Sequence, residues 1–221
     1  MKVSDVYIMM GHTHLAVGIA TSLLIVRPTS LPELLVGICA GALGGLIPDI
    51  DVGTSKSHKQ ADIITMFSAV IVAVVIIVDW LFHVGIQEKL MQNETFAQMF
   101  TPVIIFIGVC AYGKGTPHRT FMHSILTMIL LTACVGIALP IAAPYFCFGF
   151  LSHIILDIFN KKRVRIFWPS KKGICFKLCS SYGKTNKILF YSGTIISCLC
   201  IIFAVYSMYN WGEYFKTLNV F

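Results

Sequence analysis

The chain has 221 residues, 57% apolar and 12% charged, with mean hydropathy +0.80 and net charge +7. Soluble domains carry roughly half apolar and about a quarter charged residues, so this composition excludes an ordinary water-soluble globule and makes the bilayer the main solvent. Six of the eight cysteines lie in apolar stretches, where Cys acts as a small hydrophobe; Cys175 and Cys179 sit in a basic loop at a spacing that fits no zinc pattern well, and no disulfide framework is implied.

Met1 to Met10 hold one Lys and one Asp and no small-residue cleavage site, so no removable signal peptide is expected. Seven apolar segments follow, at roughly 13–26, 33–48, 62–84, 100–112, 122–139, 144–160 and 188–209. A hydrocarbon core of about 30 Å needs about 20 helical residues, so the first two are short and predict a tight hairpin that crosses obliquely or only dips in. Pro28 and Pro32 mark the turn between them, and Gly41, Gly44 and Gly45 suit close helix packing in lipid. The third segment is long and nearly featureless until Asp79 and His83 at its far end, and Pro140 and Pro144 mark the turn between the fifth and sixth. The expected fold is all-α: one membrane domain over 1–221, a polytopic bundle of five to seven helices with short hairpins, a basic cytoplasmic loop at 160–187 and a last transmembrane helix at about 188–209.

Basic residues set the orientation. With the amino terminus inside, Lys2, Lys56, Lys59, Lys114 and Arg119 fall inside, as do nine Lys and Arg between 160 and 187; only Arg27, Lys89 and Lys216 fall outside. This threading brings four polar groups from separate helix ends to one membrane face.

The group at the centre is His118-Arg119-x-x-x-His123-Ser124, which opens the fifth segment. Ionisable residues placed against a membrane are costly and by default mark a functional site. Arg119 forks well onto phosphate or carboxylate, and His123 is expected in the first helical turn, where backbone donors favour an anion. An ordinary positive-inside anchor accounts for the Arg but not for the two imidazoles beside it. His153-x-x-x-Asp157 places an imidazole and a carboxylate on one helix face, to share a cation or to form a structural hydrogen bond. Pro48-Asp49-Ile50-Asp51 ends the second segment; carboxylates at a helix carboxyl end oppose the helix dipole, which a nearby cation would relieve, although a solvated helix stop is the plainer alternative. His12-x-His14 precedes the first segment, and His14 is the better ligand candidate because it abuts the helix.

Imidazole and carboxylate without thiolate suit Zn, Mn or Fe, and Mg less well. The metal-ligand candidates are His14, Asp49, Asp51, His123, His153 and Asp157, with Arg119 and His118 as catalytic candidates. A hydroxide made at the metal, with Arg119 holding an anionic substrate, describes a hydrolase acting on a phosphoester of a lipid or lipid-linked substrate at the cytoplasmic face. The Pro-Ser-Gly-His element of phosphohistidine lipid phosphatases and the His-Glu-x-x-His of intramembrane metalloproteases are both missing. The alternative is a non-catalytic scaffold or regulator that binds anionic lipid or an acidic partner through the 160–187 loop. Membrane lipids are the expected partners, nucleic acid is not, and no protein partner is indicated.

The order Thr13-His14, Pro48-Asp-Ile-Asp51, His118-Arg-x-x-x-His-Ser124, Ser152-His-x-x-x-Asp157 and Trp168-Pro169 resembles the YdjM-like membrane-bound metal-dependent hydrolases, also described as LexA-binding and inner-membrane-associated. The resemblance covers about residues 10–190. It implies a multi-pass protein of the bacterial inner membrane with a divalent metal site, and carries over His14, Asp49, Asp51, His118, Arg119, His123, His153 and Asp157. Where that family usually has Gly after His-Arg and Thr before the second His, this chain has Thr120 and Met122.

Overall fold

The computed structural model describes residues 3–51, 94–178 and 184–209, and the segment at 62–84 with Asp79 and His83 lies outside them. Among the described residues there are six α-helices: α1 Val3–Val26, α2 Leu31–Leu46, α3 Glu94–Lys114, α4 Ile125–Ala138, α5 Ala143–Ile158 and α6 Lys184–Met208. Short 3-10 turns follow α2 (Ile47–Asp51), precede α4 (Phe121–His123) and precede α5 (Pro140–Ala142). Three stretches are long and apolar enough to cross a membrane, Leu31–Asp51, Pro140–Ile158 and Lys184–Met208. The all-helical membrane bundle expected from composition is what forms, and the second segment reaches spanning length once its terminal turn is included.

The bundle is built on α1, α2 and α5, and a spacing of four explains how. Glu33, Gly37, Gly41, Gly45 and Asp49 follow one another at that interval along α2 and the turn after it; Tyr145, Gly149, His153 and Asp157 do so along α5. Residues four apart share a helix face, and rows of this spacing interlock between neighbouring helices. The rows meet rung by rung: Tyr145 lies on Gly37, Gly149 on Gly41, and His153 on Gly45. The two helices therefore run in the same direction, as the second and sixth crossings of the predicted threading must.

α1 packs antiparallel to both. A Cβ on Gly18 would stand 2.8 Å from the Gly41 carbonyl oxygen, and one on Gly45 would stand 2.5 Å from that of His14, so only a missing side chain lets the backbones come this close. At the other end of α2, Ser30 caps the helix by accepting from Glu33 N (3.3 Å), and Glu33 accepts from Thr29 N (2.8 Å), Thr29 Oγ1 (2.8 Å) and Tyr145 OH (2.9 Å). That network pins the α2–α5 pair at the membrane side opposite the polar cluster.

α6 lies against α1, where Ser197 Oγ donates to the Ala16 carbonyl (3.2 Å) and Gly193 meets Val17. Its outer face carries exposed Ile188, Leu199, Ile202 and Phe203, as a lipid-facing helix requires. The core proper gathers Phe121, Met122, Leu131, Tyr145, Phe146 and Phe150 between α2, α4 and α5.

The basic loop is not a loose skirt. Val164 and Ile174 form an antiparallel bridge with bonds of 2.9 Å in both directions. Arg165 N donates to Arg119 O (2.9 Å), Ile125 N to Ile166 O (2.9 Å), and Phe176 N to Ile158 O (2.8 Å). Val164 and Ile166 are buried, and Trp168 meets Phe121 edge-to-face at 5.2 Å. The first half of the 160–187 stretch is thus folded back over the end of the bundle.

Candidate metal centre

Five elements deliver side chains to one end of the bundle. His14 comes from α1, Asp49 and Asp51 from the turn after α2, His118 and Arg119 from the loop after α3, His123 from the turn before α4, and His153 and Asp157 from α5. Every predicted site residue is in this cluster. Side-chain exposure is 2% or less at His14, Asp51, His123 and Asp157, and 16% at Asp49.

Local structure differs from expectation in two places. His12 and His14 do not precede the first helix, because α1 begins at Val3 and contains both. Residues two apart on a helix point about 200° apart, so His14 is buried and His12 is exposed, away from the cluster. His123 is not in the first turn of α4. It ends a 3-10 turn, and Ser124 takes the cap position, accepting from Thr127 N (3.2 Å). Ligand atoms converge within 4.8 Å in the groups His14/Asp49/His153, Asp49/His118/His123 and His123/His153/Asp157. The oxygens of Asp51 accept from His118 Nδ1 (2.7 Å) and Arg119 N (3.3 Å) and face His123 Nδ1 at 3.5 Å.

The tautomer of His153 follows from its partner. Nδ1 lies 2.7 Å from the Gly45 carbonyl oxygen, which only accepts, so Nδ1 carries the hydrogen and neutral imidazole keeps its Nε2 lone pair for the centre. His123 has the same arrangement in looser form, with Asp51 behind Nδ1 and Nε2 pointing inward. His14 stacks on His153 with ring centroids 3.8 Å apart.

The inner atoms then stand at a characteristic spacing. His123 Nε2 is 3.3 Å from His153 Nε2, 3.3 Å from Asp157 Oδ2 and 3.7 Å from Asp49 Oδ1; His153 Nε2 is 3.6 Å from Asp49 Oδ1. All four separations exceed the roughly 2.7–3.2 Å of a good N–H···O bond. The two of 3.3 Å suit pairs of ligands that share a cation at about 2.0–2.1 Å, and the other two lie a little wider. Asp157 Oδ2 is buried without a hydrogen-bond partner, which is costly unless something else occupies it. The donor set points the same way. Carboxylates and imidazoles that converge on one buried place, with no thiolate among them, are ligands a divalent transition metal accepts, so the residues present fit the group they were expected to hold.

Arg119 does more than anchor. It is 7% exposed and adopts φ 65°, a left-handed conformation that costs a non-glycine residue roughly 1–3 kcal/mol. The bend sends its amide to Asp51 and its guanidinium inward, where Nη2 donates to Asp157 Oδ1 (3.0 Å) and Nη1 to the Lys162 carbonyl (3.1 Å). Both terminal nitrogens are thereby engaged, and Arg119 orients the carboxylate of Asp157. Thr120 supports the bend through its hydroxyl, which donates to the Pro117 carbonyl. Sequence reasoning missed the Gly45 and Lys162 carbonyls and the Arg163–Lys177 part of the loop; the four-residue spacing from Glu33 to Asp49 was the signal for Gly45.

A cleft of about 1080 Å³ adjoins the cluster and is lined by His118 and Arg119 together with Arg163, Arg165, Lys171, Lys172 and Lys177. His118, 31% exposed in its side chain, thus bridges the buried centre and the open space. The family model described as YdjM inner membrane protein matches residues 9–213, and the chain belongs to that family. No curated protein and no solved structure matches it.

Proposed function

We propose that this member of the YdjM inner membrane protein family is a multi-pass protein of the bacterial inner membrane that hydrolyses a phosphoester of a lipid or lipid-linked substrate at the cytoplasmic face, using a divalent metal. The observation that carries the reading is the approach of His123 Nε2 to His153 Nε2 and Asp157 Oδ2 (3.3 Å each), with Asp49 Oδ1 3.6–3.7 Å from both imidazole nitrogens. These four atoms, with His14 alongside, are the ligand set, and their chemistry suits Zn, Mn or Fe.

Such a metal, when bound, brings the pKa of a coordinated water to about 7 and supplies a nucleophile at neutral pH. The protein's own groups do the rest. His118 donates its Nδ1 hydrogen to Asp51 and keeps Nε2 for proton transfer at the edge of the cleft. It accepts the proton shed by the attacking water, and Asp51 stabilises the imidazolium that forms. The new P–O bond forms as the bond to the leaving alcohol breaks, and the imidazolium returns the proton to the departing oxygen. Arg119 is a positioning residue toward Asp157, and its buried Nε has no hydrogen-bond partner.

The folded-back loop supports this reading over the scaffold alternative. Its cations share one cleft with His118 and Arg119, and its backbone is bonded to that of Arg119 itself. Metal analysis of the detergent-purified protein tests the proposal. A stoichiometric transition metal is expected in the parent protein and a loss of most of it in His123→Ala and in Asp49→Ala. Unchanged metal content in both variants overturns it.

A further inference from the structure

We infer that the cleft beside the metal cluster selects a substrate carrying two adjacent phosphate groups, a diphosphate, and not a single phosphate. The inference rests on the metal-hydrolase reading above and narrows it at the same site: the bond broken is a phosphoanhydride, with a phosphate in place of an alcohol as the leaving group.

The argument is one of charge. Arg163, Arg165, Lys171, Lys172 and Lys177 line the cleft, and none of the described residues that line it is acidic. No Asp or Glu occurs between Asp157 and Glu213, so the loop brings no counter-charge of its own. Arg165 is half-buried and the other four are exposed, but backbone bonds at Val164, Arg165, Ile174 and Phe176 hold the chain that carries them beside His118 and Arg119. Five positive charges lining one cleft call for a polyanion. One phosphoryl group at the metal cluster leaves them unmatched, because a phosphodiester headgroup carries one negative charge there. A terminal phosphate carries about −1.5 to −2, and a neighbouring phosphate adds to it.

The geometry divides the work between the two groups. His118 and Arg119 belong both to the buried cluster and to the cleft, so they mark where the reacting phosphoryl sits. The second phosphate then lies among the loop cations. Reaction of such a substrate adds water across the P–O–P bridge. The water oxygen bonds to one phosphorus, the bridging oxygen leaves with the other and takes up the proton, and the products are two phosphates with no further reactant consumed.

Binding of non-hydrolysable analogues tests this separately from turnover. In neutral maltoside micelles, the metal-loaded protein is titrated with dodecyl methylenediphosphonate and with dodecyl phosphonate. The expected result is at least about tenfold tighter binding of the diphosphonate, declining with added salt, and loss of that preference in Lys171→Gln/Lys172→Gln with metal content unchanged. Arg163→Gln gives an independent second variant. Free methylenediphosphonate binding as tightly as the lipid analogue assigns the diphosphate to a soluble molecule; markedly weaker binding assigns it to a lipid. Equal affinity for the mono- and diphosphonate overturns the inference even if the protein proves to be a metal-dependent hydrolase. A retained diphosphonate preference in a protein that binds no metal leaves the cleft assignment standing while the hydrolase reading falls.

Discussion

Gly45→Ala should empty the metal centre without touching a single ligand. A Cβ at residue 45 would stand 2.5 Å from the carbonyl oxygen of His14, and ordinary contact begins near 3.4 Å. The α1 and α2 backbones must therefore separate by about 0.9 Å at this rung, since the obstructing atom is backbone and cannot rotate away. The same residue's carbonyl accepts from His153 Nδ1 at 2.7 Å, so the displacement acts on both His14 and His153. Metal sites tolerate about 0.2 Å in ligand position, and loss of a group that orients a ligating histidine typically costs 10- to 100-fold in affinity. The expected fall in metal affinity is in that range, about 1.4–2.7 kcal/mol, alongside roughly 1–3 kcal/mol of overpacking strain. Metal titration by mass spectrometry on the detergent-purified variant, paired with a thermal melt, reads both quantities. Gly108→Ala is the control, because a Cβ there meets nothing within 4 Å and should change neither. A folded Gly45→Ala protein that binds metal with parental affinity would refute the claim that the glycine contact sets ligand spacing.

Two further outcomes separate the centre from its surroundings. Asp51→Asn should keep its metal and lose most hydrolysis, by about 100- to 1000-fold, because Asp51 holds His118 and His123 from behind; metal loss equal to that of Asp49→Asn would return Asp51 to the ligand set. Glu33→Ala should lower stability by about 1 kcal/mol, discounted for its partial exposure, by freeing Thr29 and Tyr145 at the opposite end of α2, with metal content unchanged.

Much of the cluster could be read from the chain because burying ionisable groups in a membrane is expensive, so each of His14, Asp49, His118, Arg119, His123, His153 and Asp157 stood out against apolar surroundings. The basic residues then gave a threading that put all of them at one face. What could not be read was local geometry. The start of α1 at Val3 turned a presumed His pair into residues on opposite helix sides, a distinction that hydropathy does not make. The left-handed turn at Arg119, and the 3-10 turn that holds His123 outside α4, depend on long-range bonds to Asp51 and to the folded loop. The folding of the basic loop over the end of the bundle could not be read either, because nothing local announces that Val164 pairs with Ile174.

The loop and the centre are best understood as one electrostatic device. The buried end of the bundle gathers carboxylates and imidazoles of the kind a divalent metal accepts. The cleft that adjoins it is lined, among the described residues, by five loop cations and no acid, which favours an anion. Arg119 joins the two regions, donating to Asp157 inward and to the Lys162 carbonyl at the root of the loop. A cytoplasmic anchor needs its charges only somewhere below the headgroups, and gains nothing from having its backbone bonded to Arg119 or its cations facing His118. A site that must draw a polyanion out of the interface and present it to a metal needs both, and it needs them within the span of one headgroup.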